Sequence, residues 1–151
     1  MKESIFDNNA ATAIQLRLSH LTADSKALWG KMNAGQMVLH AQAPLKVAFE
    51  EIKLKRNIIS FLFGSMAKKQ LMKSEPFKKN LPTAPAFNTI KHTVDFNAEK
   101  NKLITYIQRF QQAGPSGITQ LPHPFFGNML PNEWDTLQWK HLDHHLRQFG
   151  I

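Results

Sequence analysis

Apolar positions recur at three- and four-residue spacing in four long stretches, and no run alternates convincingly with the period of two that marks a half-buried strand. The first stretch, Asn8 to His20, sets Ile14, Leu18 and Leu21 on one packing stripe. His20 stands at its end, where it can meet terminal carbonyls as a cap. The second follows Trp29-Gly30-Lys31-Met32, an aromatic anchor and a turn. Asn33 is its N-cap, and Gln36 at the third helical position completes a capping-box pattern. It runs through Met37, Val38, Leu39, His40 and Leu45 to Phe49 or Ile52. Pro44 offers no N–H to the carbonyl of His40, so a bend is predicted between these two residues. The third stretch, Asp95 to Ala113, places Phe96, Leu103, Ile104, Ile107 and Phe110 near one face, leaving Lys100, Lys102 and Gln111 for water. Gly114-Pro115 ends it. The fourth, Pro131 to Phe149, starts with a proline at the first helical position and carries Glu133 and Arg147 at the ends the helix dipole favours.

Between these stretches the signals are weaker. Ile58 to Leu71 reads as one helix, or as two short pieces broken at Gly64-Ser65. Glu75 to Phe87 is too rich in proline for regular structure and reads as a long ordered loop, anchored by Phe77, Leu81 and Phe87, that wraps the fold or covers a pocket mouth. His92 belongs to a loop or the surface. Gly114 to Leu130 is a turn-rich connector in which Pro122 and Pro124 fix the direction of His123. Four helical patterns in a chain of 151 residues predict a single all-α domain over 1–151, an antiparallel four-helix bundle.

Composition narrows the chemistry. There are no cysteines, which excludes disulfides and thiolate metal sites and leaves histidine and carboxylate as the strong side-chain ligands. The net charge of +8 suits nucleic acid, an acidic membrane surface or an anionic small molecule. Its lysines are spread over several elements without an Arg-rich stripe, so a solvated basic surface is the simpler reading. The region Lys53 to Lys79 is the most basic part, with only Glu75 opposing eight Lys and Arg residues. The first residues contain no long apolar run, and the longest apolar patch, Ile58 to Phe63, is too short to span a bilayer. A soluble cytoplasmic protein with no membrane partner is expected.

His141 and His145 lie one helical turn apart, about 40° from each other on one face, so two imidazoles can reach one cation from one rigid helix. Bundles place such ligands on facing helices, and His40 on the second helix supplies a third. Three neutral imidazoles with open positions describe a catalytic site better than a closed structural one. His144 competes with His145 but points about 100° away from it. Leu142 stands where a zinc-protease motif would carry its glutamate, so that mechanism is not supported. Gln36, His123, Trp134, Gln138 and His144 are the candidates for lining the pocket or supporting the ligands. For Trp134, a plain core anchor is the simpler role.

Several of these residues fall into a recognisable pattern. Trp29-Gly30-Lys31-Met32 leading to Gln36-Met37 and His40, then His123-Pro124-Phe125-Phe126-Gly127, then Glu133-Trp134 and Lys140 to Phe149, resembles the DinB/YfiT-like superfamily. More narrowly, it resembles one of its uncharacterised branches, a domain of unknown function. The resemblance covers nearly the whole chain. It implies a four-helix bundle with up-down-down-up topology and a divalent metal, nickel or zinc, held by His40, His141 and His145. It further implies a homodimer and a metal-dependent hydrolase or a transferase using a low-molecular-weight thiol such as bacillithiol or mycothiol. The alternatives are a non-catalytic small-molecule, metal-binding or dimerisation module and, ranked last, nucleic-acid binding through residues 53–79.

Overall fold

The structure is a computed structural model that describes residues 3–151. Six α-helical segments follow one another: α1 (Asn8–Ser19), α2 (Ala34–Ala41), α3 (Ala43–Ala48), α4 (Ile58–Leu71), α5 (Phe96–Ala113) and α6 (Pro131–Gln148), with a 3-10 turn at Pro85–Phe87. The fold is all-helical; among the described residues the sole β feature is an isolated bridge between His123 and Gly127.

Local sequence explains where the helices start. The Asp7 carboxylate accepts the Ala10 N–H at 3.0 Å and caps α1. Asn33 and Gln36 satisfy each other's backbone N–H groups at 2.9 and 3.0 Å, the reciprocal arrangement their spacing predicts. Asp95 caps α5, which ends at Gly114 with φ of 61°, a left-handed conformation that suits a glycine. Pro131 opens α6, where the Glu133 carboxylate accepts the Leu130 N–H at 2.8 Å.

The predicted bend is present. The second helical stretch breaks at Gln42 into α2 and α3, because Pro44 cannot continue the hydrogen-bond ladder. Gln42 N–H instead reaches the Leu39 carbonyl in a tightened turn at 3.3 Å. The bend is held from outside: the buried Gln42 amide donates to the Glu99 carbonyl and carboxylate on α5 at 3.1 and 2.8 Å. His40 therefore sits on the last turn before a bend whose direction α5 fixes.

Helix α5 packs most extensively against α2, and also against α1 and α3; α6 closes on α1, α2 and α3. The core between them is built from Ile14, Leu18, Met37, Leu45, Leu103, Ile107, Phe110 and Trp134, each at most 2% exposed. Burying side chains of this size contributes about 1.5–3 kcal/mol each.

One open reading is settled and others change. Ile58 to Leu71 is one continuous helix, since Gly64 is needed for closeness and not as a break: a Cβ there would stand 2.2 Å from the Phe125 carbonyl oxygen. Leu81 does not anchor the long loop; it is 51% exposed, while Phe77 and Phe87 do pack against the core. His20 is exposed, and the C-terminal carbonyls of α1 are met instead by Lys100, whose ammonium donates to Ser19 and Leu21 at 3.1 and 2.7 Å. Lys100 thus leaves the water-facing set assigned to it.

Candidate metal centre

His40 arrives from the last turn of α2, and His141 and His145 from successive turns of α6. One ring nitrogen from each lies within 4.8 Å of the others. The Nε2 atoms of His40 and His141 are 3.2 Å apart. Two imidazole nitrogens bound to one zinc-sized ion in a tetrahedral arrangement stand about 3.3 Å apart, so this pair already has the needed spacing.

Hydrogen bonds decide which nitrogen of each ring is free. His40 Nδ1 is 2.8 Å from the Phe87 carbonyl oxygen, which can only accept, so Nδ1 carries the proton and Nε2 the lone pair. His145 Nδ1 is 2.8 Å from Gln148 Oε1. That amide's orientation is fixed by its other end, where Nε2 donates to the Trp29 carbonyl at 2.7 Å. The oxygen must therefore face His145, which donates from Nδ1 and keeps Nε2 bare. Backing a metal-binding imidazole with a carbonyl or amide acceptor is how proteins set its tautomer and orientation. His141 Nδ1 is shut off from solvent and has no hydrogen-bond partner among the described residues, although the residue as a whole is partly exposed.

Electrostatics act in the same direction. Burial holds His40 below its ordinary pKa, with the Phe87 hydrogen bond opposing. Burial, reinforced by the neighbouring imidazoles, drives His141 well below the usual range. His145 falls to about 3, chiefly through burial and then through His40. All three are neutral at pH 7, the form that metal ligation requires. The donor set, the spacing and the directed lone pairs fit a metal ion.

Two adjoining cavities open beside the cluster. The larger, about 370 Å³, reaches His145 and is walled on one side by the long loop, from Asn80 to Thr83 and Phe87 to Ile90. The smaller, about 250 Å³, lies between Trp29, Pro76, Phe77, Lys79, His144 and Arg147. His144 and Trp29 belong to both. The only charged side chains lining either one are Lys31, Lys79 and Arg147, all basic.

The remaining candidates take other places. His144 is outside the three-nitrogen group, with its ring against those of Trp29 and Phe77, each 5.9 Å between centroids. Gln138 is buried and donates to the Pro44 carbonyl at 3.2 Å, tying α6 to the bend. Gln36 holds the loop to α2 through the Ile90 carbonyl at 2.6 Å. Trp134 is in the core beside His123, and neither lines the two cavities. His123 organises its own turn: its Nδ1 accepts the N–H groups of Phe125 and Phe126 at 3.0 and 3.2 Å.

Two supporting groups escaped the sequence reading, the Phe87 carbonyl and the Gln148 amide. The first left no signal, because a main-chain oxygen in a proline-rich loop has no identity in the sequence. The second did: a glutamine three residues after a candidate ligand lies on its side of the helix and can accept from it.

Compared with known families, residues 6–150 match the one described as "Protein of unknown function (DUF1569)". The chain belongs to that family. No curated protein and no solved structure matches it. DUF1569 membership thus covers the three histidines, both cavities and every helix, but brings no activity with it.

Proposed function

We propose that the chain is a metal-dependent enzyme of the DinB/YfiT-like superfamily, a hydrolase or a transferase of a low-molecular-weight thiol, in which His40, His141 and His145 hold nickel or zinc. The observation that carries this reading is the three ring nitrogens within 4.8 Å, two of them with their Nδ1 protons committed to fixed acceptors. Bound there, such an ion lowers the pKa of a coordinated water or thiol and supplies a nucleophile near neutral pH. Phe87 and Gln148 hold the ligand rings in the required tautomers, and the long loop forms one wall of the larger cavity. Lys31, Lys79 and Arg147, with no carboxylate among the lining residues, favour a small anionic substrate. The up-down-down-up helix order, a homodimer and a cytoplasmic location belong to the same proposal.

The test is metal content after loading with Ni²⁺ or Zn²⁺ and desalting. The wild type retains one ion per chain, His144→Ala does the same, and the double variant His141→Ala/His145→Ala retains none. Equal retention in the double variant removes the ligand assignment; loss in His144→Ala moves that residue into the set. Turnover of thiol-transfer or ester substrates by the loaded wild type then separates an enzyme from a binding module.

A further inference from the structure

Helix α4 turns its apolar side chains outward. Ser60, Gly64 and Leu71 form its buried side, set against the connector and α6. On the rest of the helix, Ile58 is 75% exposed, Phe61 67%, Leu62 69% and Met66 63%, with Ile59 and Phe63 also exposed. The patch continues onto Phe125, whose carbonyl Gly64 meets. So many large apolar groups together on one exposed helix mark an interaction surface.

The surrounding charge identifies the occupant. Residues 53–79 carry eight Lys and Arg against Glu75, nearly all of the net +8 of the whole chain. Lys55 precedes the helix, and Lys69 lies two turns beyond Leu62 on the same side; both are exposed. The apolar surface is therefore bracketed by ammonium groups at both ends. A second copy of this face would bring the same positive charge against itself. Nucleic acid would match the charge but leave the aliphatic and phenyl groups unburied. An anionic lipid surface satisfies both, with hydrocarbon taking the apolar side chains and headgroups meeting the lysines. No helix among the described residues is long and apolar enough to cross a membrane, so the helix would lie in the plane of the interface.

We infer that α4 and its flanking lysines form a docking surface for negatively charged membranes, which departs from the sequence-based expectation of no membrane partner. The helix is pre-formed: its N-terminus is capped reciprocally by Asn57 and Ser60, and the carbonyls of its last residue, Leu71, and of Lys73 just beyond it accept from the buried Lys140 ammonium. Docking therefore requires no helix formation at the surface.

The experiment is co-sedimentation of the full chain with vesicles of phosphatidylcholine alone and of phosphatidylcholine mixed with phosphatidylserine. Wild type binds the mixed vesicles, binds the neutral ones far less, and is released by high salt. Phe61→Ser/Leu62→Ser, both exposed positions that leave the far-UV circular dichroism unchanged, weakens binding at least about tenfold. Lys55→Glu/Lys69→Glu weakens it on mixed vesicles only. Absence of binding to mixed vesicles at low salt, or equal binding by the Phe61→Ser/Leu62→Ser variant, overturns the inference. So does sedimentation equilibrium showing a wild-type dimer that this variant converts to monomer, which would make a second copy the occupant.

Discussion

Replacing Gln148 by leucine separates the metal centre's architecture from its ligands. The side chain is 3% exposed and joins two groups that have no other partner of this kind: its oxygen accepts from His145 Nδ1 at 2.8 Å and its nitrogen donates to the Trp29 carbonyl at 2.7 Å. Leucine keeps most of the volume and orphans both. Each buried group left without a hydrogen bond costs about 1–3 kcal/mol, so the metal-free protein loses about 2–6 kcal/mol of stability. The His145 ring also loses the contact that selects its tautomer, which weakens metal binding by about 10–100-fold. Gln148→Glu separates the two effects. It still offers an oxygen to His145 but sets a carboxylate against the Trp29 carbonyl, so stability falls while metal affinity holds. Gly30→Ala should mimic the leucine variant from the opposite side, since its Cβ would stand 2.4 Å from Gln148 Nε2 at a residue with φ of +81°. The assays are urea unfolding in chelator, followed by circular dichroism, and Zn²⁺ titration in competition with a chelating dye. Wild-type Zn²⁺ affinity in Gln148→Leu would refute the reasoning, whatever happened to stability.

Two further outcomes test the scaffold. Lys140 is 5% exposed and its ammonium donates to the carbonyls of Leu71 and Glu75 at 2.9 and 3.0 Å and to that of Lys73, which closes the C-terminus of α4 onto α6. Lys140→Met should cost about 2–3 kcal/mol and speed hydrogen exchange selectively in the last turn of α4; unchanged exchange there would remove the clamp. His123 is held at a pKa of about 4, first by burial and then by Arg56. Its folded pKa lies below the unfolded value, so the stability it contributes is complete above about pH 6.5 and declines as pH falls towards 4, by about 3 kcal/mol in all. His123→Asn keeps an acceptor for Phe125 and Phe126 but cannot take up a proton in this range. Denaturation across those pH values should show a shallower loss than in wild type, and parallel curves would refute the assignment.

What was legible in the sequence depended on local chemistry. The helix starts at Asn33 and Asp95, the bend before Pro44 and the pairing of His141 with His145 all follow from residues a few positions apart. So does the all-helical class, because the apolar period is a property of each segment alone. Bringing His40 to the pair required the fold, and the bundle argument anticipated the right helix faces. The misses have one cause. Lys100 capping α1, Lys140 clamping α4 and Phe87 orienting His40 are each contacts between segments far apart in the chain, made by long side chains or by backbone atoms, and residue type does not say which distant carbonyl a lysine will find. The outward face of α4 stayed hidden for a different reason. Its apolar residues cover a broad arc of the helix opposite Ser60 and Gly64, so periodicity alone could not show that they face outward.

The centre itself breaks the pattern that the rest of the core obeys. Elsewhere the inner faces of α2 and α6 present Met37, Val38, Leu137 and Leu142, yet at their meeting point three imidazoles crowd together with an unpartnered Nδ1 on His141. Local rules broken at one point, with compensating hydrogen bonds from Phe87 and Gln148, agree with the proposed three-histidine metal site. His141→Leu tests this. Leucine has similar bulk and needs no partner. Relief of the unpartnered Nδ1 contributes about 1–3 kcal/mol and loss of the 3.2 Å contact between the His141 and His40 Nε2 atoms takes back about 0.5–1.5, so the metal-free variant should be at least as stable as the wild type while losing retained Ni²⁺ or Zn²⁺. Denaturation in chelator and metal analysis read the two effects independently. A variant less stable than the wild type in chelator would mean that His141 is a structural member of the core, and the argument from broken pattern would fall with it.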